Sequence, residues 1–399
     1  MTGVSTLGQA LAQIARIKDQ QTQFATLSTQ LATGKKTQVF SGLQTDTLTS
    51  QRARASFKAT DTYINNITNA DRRIELMLTA IEEFKAQAEN FANALIGFSQ
   101  ESAHQNGDIV YYDDPTTPNI EENTQIGMSE AEADIDLRTL QELAGNIYNF
   151  MIDLLNTREN DRYLLGGADT LTKPLADNGT LDATMNSFIA NWKAGTVTTS
   201  DFLADLKNRD TASNPEALTD SIIGYSAPLT AGNVQGVFVR VDGLSEIEYT
   251  ALANERPFRD VLVALSYFKN ESLPPVADQV EIDPGTGLPI ILTQGAPGAD
   301  MDEMKENFYA VFNDLTRMVN QALDDMDQVR FRLENARARI TELKQSHQEQ
   351  KSLLLGTISD VEDVDINEVA LKLNVLQIQL DASYRVTARV SQLSLVNFI

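Results

Sequence analysis

The stretch "FYAVFNDLTRMVNQALDDMDQVRFRLENARARITELKQSHQEQKSLLL", residues 308–355, contains neither glycine nor proline. Starting at Phe308, fourteen positions alternate in steps of four and three, and all but His347 and Gln350 are apolar. A repeat of 3.5 residues sustained over this length is typical of a coiled-coil helix, which cannot bury its apolar seam alone. The stretch therefore predicts one long helix that packs against partner helices.

Two segments of the N-terminal half carry matching apolar stripes and supply candidate partners. Asp71 and Lys85 interrupt the first stripe, and polar residues in a seam cost stability but can fix its register. Three long amphipathic helices, two from the N-terminal half and one from the C-terminal half, predict an elongated antiparallel helical bundle. The stripes consist of Ile64, Ile67, Ile74, Leu78, Ile81, Ala88 and Leu95 in the first segment, and Leu140, Ile147, Met151 and Leu154 in the second.

The two ends of the chain also predict amphipathic helices. Although they are far apart in sequence, both carry apolar residues in steps of three and four, so the simplest arrangement pairs them in an antiparallel two-helix coiled coil. The N-terminal seam comprises Val4, Leu7, Leu11 and Ile14, with Phe24 and Leu31 on the same face, and the C-terminal seam comprises Ile366, Val369, Leu373, Leu376 and Leu380.

One seam does not account for all the apolar residues of these ends. Leu27, Val39, Val375, Ile378 and others fall outside it. A helix that is apolar on several faces must be buried on several sides, which points to neighbouring copies of the chain. Heterologous contacts between such copies give open helical polymers. The predicted assembly interface comprises Leu7, Leu11, Ile14, Phe24, Leu31, Val369, Leu373, Leu376, Leu380, Leu393, Leu395 and Phe398.

The middle of the chain has a different composition. Residues 166–300 hold nine of the eleven prolines and most of the glycines. Alternating apolar residues predict a strand at Val237–Val241 and a neighbouring strand around Ile247, and a helix is predicted to begin at Pro257. Residues 104–126 are predicted to be a loop. The middle segment therefore predicts an α+β insertion.

The predicted fold class is mostly α with an α+β insertion, in which an elongated antiparallel helical bundle carries coiled-coil termini. The predicted domains are a terminal coiled-coil polymerisation domain (1–60 and 361–399), a long helical bundle (61–165 and 301–360) and an inserted surface domain (166–300).

Composition limits the possible functions. The chain has 399 residues, a net charge of −24, two histidines and no cysteine. A thiolate or multi-histidine metal site is excluded, and the acidic charge disfavours nucleic acid as a partner. No apolar run reaches the ~18 residues of a membrane span, and the first residues lack the features of a secretory signal peptide. No catalytic, cofactor-binding or metal-binding residues are predicted, because the known catalytic and phosphate-binding motifs are absent.

Three segments resemble the bacterial flagellin family: "LSTQLATGKK" (27–36), "RYLLGGADTLTKPL" (162–175) and "ASYRVTARVSQLSLVNFI" (382–399). The resemblance covers roughly the first 165 and the last 100 residues. Residues 162–175 and the closing "QLSLVNFI" are most similar to the hook-filament junction branch of the family, hook-associated protein 3. The family's Asp-Asp pair is missing, since "TQVFSGLQTDT" (37–47) stands in its place.

The resemblance implies a structural subunit without enzymatic activity or cofactors. It implies export through the flagellar type III channel with the help of an export chaperone, and a final location in the extracellular flagellum between hook-associated protein 1 and flagellin. Assembly with copies of itself would use the terminal coiled coil. A filament flagellin and a flagellin-like protein that binds cell-surface polysaccharide remain as alternatives.

Overall fold

A computed structural model describes residues 3–103, 111–113, 120–123, 130–176, 179–232, 234–271, 278–282, 285–286 and 289–396. Helices predominate and strands are short, which confirms the prediction of a mostly helical fold with a small α+β insertion. The helices are α1 (Gly3–Thr33), α2 (Thr47–Ala103), α3 (Glu130–Leu155), α4 (Thr180–Lys193), α5 (Thr199–Lys207), α6 (Asp220–Ile223), α7 (Ala227–Thr230), α8 (Arg256–Asn270), α9 (Met301–Glu362) and α10 (Ile366–Val396).

The strands form small antiparallel sheets. Strands β5 and β6 pair through Val239 and Ile247, which confirms the two strands predicted there. One sheet has the order β1-β2-β7-β8. The strands are β1 (Tyr111–Asp113), β2 (Ile120–Asn123), β3 (Arg158–Glu159), β4 (Arg162–Tyr163), β5 (Phe238–Arg240), β6 (Glu246–Glu248), β7 (Gln279–Ile282) and β8 (Pro289–Thr293).

The prediction that residues 104–126 form only a loop is wrong. Strands β1 and β2 of this segment pair with each other, and Ile120 of β2 pairs with Glu281 of β7. The backbone ladder that orders β2 is thus completed by a strand far along the chain, so the local sequence alone gives a weak signal.

The chain divides into two compact units. Unit 1 comprises residues 1–65 and 343–399, and unit 2 comprises residues 66–342. The predicted three-part domain division stays a prediction. Among the described residues, no helix combines the length and the apolar content that a membrane span needs.

The predicted coiled-coil seam lies at the centre of unit 2. The two charged residues that interrupt the α2 stripe pair with α9. Arg337 donates a hydrogen bond to Asp71 (2.8 Å), and Lys85 donates one to Asp327 (2.8 Å). Because the numbers rise along α2 as they fall along α9, the two helices run antiparallel here, as predicted. The seam positions of α9 in this unit are all buried: Phe308, Phe312, Leu315, Val319, Ala322, Met326, Val329, Leu333, Ala336 and Ile340.

Helix α8 is buried along most of its length, and it begins one residue before the predicted Pro257. Its Phe258 contacts Phe84 of α2, with ring centroids 5.1 Å apart. Near its end, Phe268 contacts Phe312 of α9 at 5.4 Å. Such aromatic pairs contribute about 0.5–1.5 kcal/mol beyond their buried area. A helix from the middle of the sequence therefore packs against the long helices of unit 2.

Arg259 of α8 is fully buried and connects several loops. Its guanidinium donates hydrogen bonds to three backbone carbonyl oxygens, those of Leu206 (3.1 Å), Asn208 (3.0 Å) and Leu218 (2.7 Å). It also donates one to the Asp260 carboxylate (3.1 Å). A buried charge is stabilising only when its hydrogen-bonding capacity is used in this way, so Arg259 fixes the segments around α5 and α6.

We expect the Arg259→Ala substitution to lower the free energy of unfolding by about 3–5 kcal/mol, because it leaves buried carbonyl oxygens and a carboxylate without their donor. The matched control is Arg256→Ala on the same helix. The Arg256 side chain is 71% exposed and pairs only with Asp260 among the described residues, so its loss should change stability by less than about 1 kcal/mol. Urea unfolding of the full chain measures both effects, and equal effects would contradict the assignment.

Candidate assembly interface

The two ends of the chain form an antiparallel helix pair in unit 1. Gln21 of α1 donates a hydrogen bond to the Tyr384 hydroxyl of α10 (2.8 Å). Ser383 donates one to the side-chain oxygen of Gln20 (3.3 Å). Near the other end of the pair, Gly34 lies next to the start of α10. The predicted pairing of the termini is therefore confirmed.

Helix α10 presents the predicted seam to this pair except for Ile366, which is 55% exposed. Val369, Leu376 and Leu380 are buried and Leu373 is half-buried. These residues step by four, three and four, the spacing of a coiled-coil face. The helix begins after Asp365, whose carboxylate accepts a hydrogen bond from the Asn367 backbone (2.8 Å), so its N-terminus is capped.

The predicted seam of α1 is wrong at Leu11 and Ile14, and the side chains of Val4 and Leu7 lie outside those that the structure describes. Leu11 and Ile14 are each 59% exposed. Six half-buried residues of α1 do step by four and three, but they include two glutamines and Leu27, which was predicted to lie outside the seam. Two phases of the repeat fit α1 almost equally well, and apolar spacing alone selected the wrong one. The observed seam consists of Gln13, Ile17, Gln20, Phe24, Leu27 and Leu31.

The structure thus brings most of the described interface residues to one helix pair. Phe24 and Leu31 of α1 are half-buried in this pair. Leu7 lies in α1, but its side chain is not among those that the structure describes. Leu393 and Leu395 belong to α10 in the same way, and Phe398 lies outside the described residues.

A second apolar stripe runs along the outside of α10. Leu371, Val375 and Ile378 step by four and three and are 65%, 47% and 70% exposed. They are offset by two positions from the buried residues 369, 373 and 376, which is about 200° around a helix. Helix α10 is therefore apolar on opposite faces, of which one is open. Further exposed apolar residues of unit 1 are Leu11, Ile14, Val39, Phe40, Leu48, Leu353, Leu355, Ile366 and Val386.

A cluster of charged residues, the Glu362 clamp, lies where α9 ends. It comprises Lys35, Lys36, Ser50, Arg54, Glu362 and Asp363. The Glu362 side chain is buried and accepts hydrogen bonds from Ser50 Oγ (2.6 Å) and Arg54 Nε (2.6 Å), while Arg54 Nη2 contacts its second oxygen. Lys35 Nζ pairs with Asp363 and lies 3.4 Å from Glu362. The bidentate arginine geometry makes this a strong and directional contact.

Backbone hydrogen bonds reinforce the clamp. Lys36 N donates to Glu362 O (2.7 Å), and Val364 N donates to Gly34 O (2.9 Å), so Lys35 and Asp363 face each other in a short antiparallel bridge. The Lys36 ammonium donates to two of the last carbonyl oxygens of α9, at 2.6 and 2.9 Å. A cation at a helix C-terminus satisfies carbonyl groups that lack helical partners.

The clamp shifts the acidities of its members. Hydrogen bonds from Arg54, and then from Ser50 and Lys35, lower the pKa of Glu362 to about 2. The hydrogen bond from Lys35, followed by that from Ser359, lowers the pKa of Asp363. The hydrogen bond to Asp363 raises the pKa of Lys35. Both carboxylates therefore remain ionised throughout the neutral range.

Little in the sequence pattern indicates the clamp. Lys35 and Lys36 follow a glycine that ends a helix, and Glu362 closes a long helix, which are ordinary helix-end signals. Lys35 and Glu362 lie far apart in sequence, and no repeating pattern in the sequence predicts their contact. Only a prediction that α1 pairs with α10 places these two helix ends close together.

We expect the clamp to open in acid. The pKa of Glu362 is about 2 in the folded chain and about 4.5 when unfolded, so its contribution is complete above pH 4.5 and is lost as the pH falls towards 2. Hydrogen exchange at the Lys36 and Val364 amides, corrected for intrinsic rates, measures this. The difference in protection between the wild type and Glu362→Gln should be large at pH 7 and vanish near pH 2. A constant difference would contradict the assignment.

Comparison with known proteins finds one family whose model matches part of the chain. Residues 316–399 match the family described as the bacterial flagellin C-terminal helical region. None of the curated proteins compared with the chain matches it. Among solved structures, the chain is similar to a candidate flagellar hook-associated protein from Vibrio parahaemolyticus, with 11% identity, a TM-score of 0.42, and coverage of 79% of this chain and 97% of that chain. The family match includes all of α10 and the part of α9 that ends in Glu362, and it supports a relationship with the flagellin family.

Proposed function

We propose that the protein is a structural subunit of the bacterial flagellum that binds copies of itself through the outer faces of the α1–α10 pair. The observation that carries this proposal is the open apolar stripe of α10, Leu371, Val375 and Ile378, on a helix within the flagellin-like residues 316–399. A monomer that leaves such a stripe in water has an incomplete interface. The extracellular flagellum is then the location of the protein.

The free energy gained by burying the exposed apolar side chains supports self-association. Burying one leucine or isoleucine side chain contributes about 1.5–3 kcal/mol. Covering the α10 stripe together with Leu11 and Ile14 of α1 therefore gives a gain large enough to offset part of the entropy that association costs. The net charge of −24 keeps the free subunit soluble before it assembles.

Within the flagellum, we place the subunit between hook and filament. The support is the resemblance of residues 162–175 and of the ending "QLSLVNFI" to the junction branch of the family. Its partners would then be hook-associated protein 1 on one side and flagellin on the other, with an export chaperone before secretion. A filament flagellin is the alternative, because the family match concerns a region that flagellins share.

We expect Leu371→Ser combined with Ile378→Ser to block assembly while the monomer stays folded. Both residues are largely exposed in the single chain, so helicity and thermal unfolding should remain close to wild type. The critical concentration for polymerisation, measured by sedimentation, should rise at least about tenfold, which corresponds to 1.4 kcal/mol.

The control for this experiment is Leu244→Ser. Leu244 is 100% exposed at the turn between β5 and β6 in unit 2, so its replacement by serine should leave assembly unchanged. Polymerisation of the double variant at the wild-type concentration would show that the α10 stripe is not an interface, and a wild-type chain that remains monomeric at high concentration would overturn the proposed function.

Deletion of the gene distinguishes a junction subunit from a filament subunit. Without a junction subunit, cells should retain hooks and release unassembled flagellin into the medium, because the filament has nothing to attach to. Without a filament flagellin, the medium should contain no released flagellin. Immunoblots of the medium and electron microscopy of the hooks measure both outcomes.

A further inference from the structure

Three segments of unit 1 meet at the Glu362 carboxylate. Lys35 follows the end of α1, Ser50 and Arg54 lie in the first turns of α2, and Glu362 is the last residue of α9. Asp363, the next residue, already belongs to the connection that leads into α10. The carboxylate therefore links the terminal helix pair α1–α10 to the adjacent ends of α2 and α9.

The link is polar rather than a packed apolar core. A cavity of about 190 Å³ lies beside the clamp and is lined in part by Lys35, Arg54 and Glu362. The apolar side chains that share this cavity include Val39 and Phe40, which are 62% and 44% exposed. Because little apolar surface is buried here, the ion pairs and backbone bonds of the clamp supply most of the attachment.

Each helix pair of unit 1 has contacts that do not involve the clamp. The α1–α10 pair buries Val369, Leu376 and Leu380 of α10. On the other pair, Lys351 of α9 forms an ion pair with Asp61 of α2 at 2.5 Å. Buried residues of this second pair are Ala53, Thr60 and Ile358. Loss of the clamp therefore leaves the contacts of both pairs in place.

We propose that the Glu362 clamp is a latch, which fixes the α1–α10 pair against the ends of α2 and α9 and which can open while both helix pairs remain folded. In the open state the two pairs are joined only by the connecting segments 34–46 and 363–365. The α1–α10 pair can then change its orientation as one body. This property belongs to the single chain and does not depend on the proposed flagellar role.

The charges of the clamp suit a two-state contact. Lys35 and Arg54 balance the charges of Glu362 and Asp363, and the Lys36 ammonium, the third cation of the clamp, donates to carbonyl oxygens of α9. Removing the Glu362 charge leaves the Lys35 and Arg54 cations with one carboxylate, that of Asp363. Arg54 and Lys35 are 49% and 39% exposed, so water can solvate them once this charge is gone, and the contact then lacks the charge-assisted hydrogen bonds that hold its segments together.

The test is hydrogen exchange on the full-length Glu362→Gln variant at neutral pH. The amides of Lys36 and Val364, which donate the bonds of the backbone bridge, should exchange at least about tenfold faster than in the wild type. Amides near Leu376 in α10 and near Ile358 in α9 should change little. The control is Glu368→Gln, which removes an exposed carboxylate paired with Lys372 on α10 and should affect none of these sites.

A covalent lock provides a second, independent readout. Lys35 and Asp363 are bridge partners flanked by two hydrogen bonds, a geometry that places their Cα atoms ~4.5 Å apart and within reach of a disulfide. The chain has no cysteine, so Lys35→Cys with Asp363→Cys introduces a single pair. In the Glu362→Gln background, oxidation should restore protection at Lys36 and Val364, and a reducing agent should remove it.

Two results would overturn the latch. If exchange in α10 accelerates together with exchange at Lys36 and Val364, the clamp is part of one cooperative core and does not open separately. If no amide accelerates in Glu362→Gln, the carboxylate does not hold the contact. Neither result depends on whether the protein polymerises, so the latch and the proposed function can fail separately.

Discussion

The apolar seam of α9 needs partner helices, because a single helix cannot bury it. In unit 2 the seam is covered completely, from Phe308 to Ile340, by α2, α8 and their neighbours. In unit 1 the seam becomes polar at His347 and Gln350, and only its last residues, near Ile358, are again buried. His347 is half-buried beside Tyr63, with ring centroids 5.7 Å apart.

Charged residues select the register of helices that apolar packing merely brings together. Leucine and isoleucine seams tolerate a shift of one heptad, because the next seven residues offer a similar surface. The ion pairs of Asp71 with Arg337 and of Lys85 with Asp327 are satisfied in only one alignment of α2 and α9 in unit 2. Glu362 has the same role in unit 1, where it matches Arg54 to the last turn of α9.

Periodicity predicted the elements whose stability comes from their own repeating contacts. Helix α9, the seam of α10 and the start of α8 near Pro257 all follow from local spacing or capping signals. The seam of α1 was assigned to Leu11 and Ile14 because two phases of its heptad compete, and the phase that is used includes Gln13 and Gln20. Strand β2 and the Glu362 clamp could not be predicted, because each is completed by residues more than 100 positions away.

Helices α8 and α10 show two ways in which this chain uses apolar surface. Helix α8 is enclosed by its own chain, and even the fully buried Arg259 hydrogen-bonds to carbonyl oxygens and a carboxylate of that chain. Helix α10 is covered on one face by α1 and leaves Leu371 and Ile378 in water. A folding defect does not explain this difference, since α10 keeps a capped N-terminus and a regular buried seam. The open face is therefore a feature of a complete helix, in agreement with the proposal that neighbouring subunits cover it.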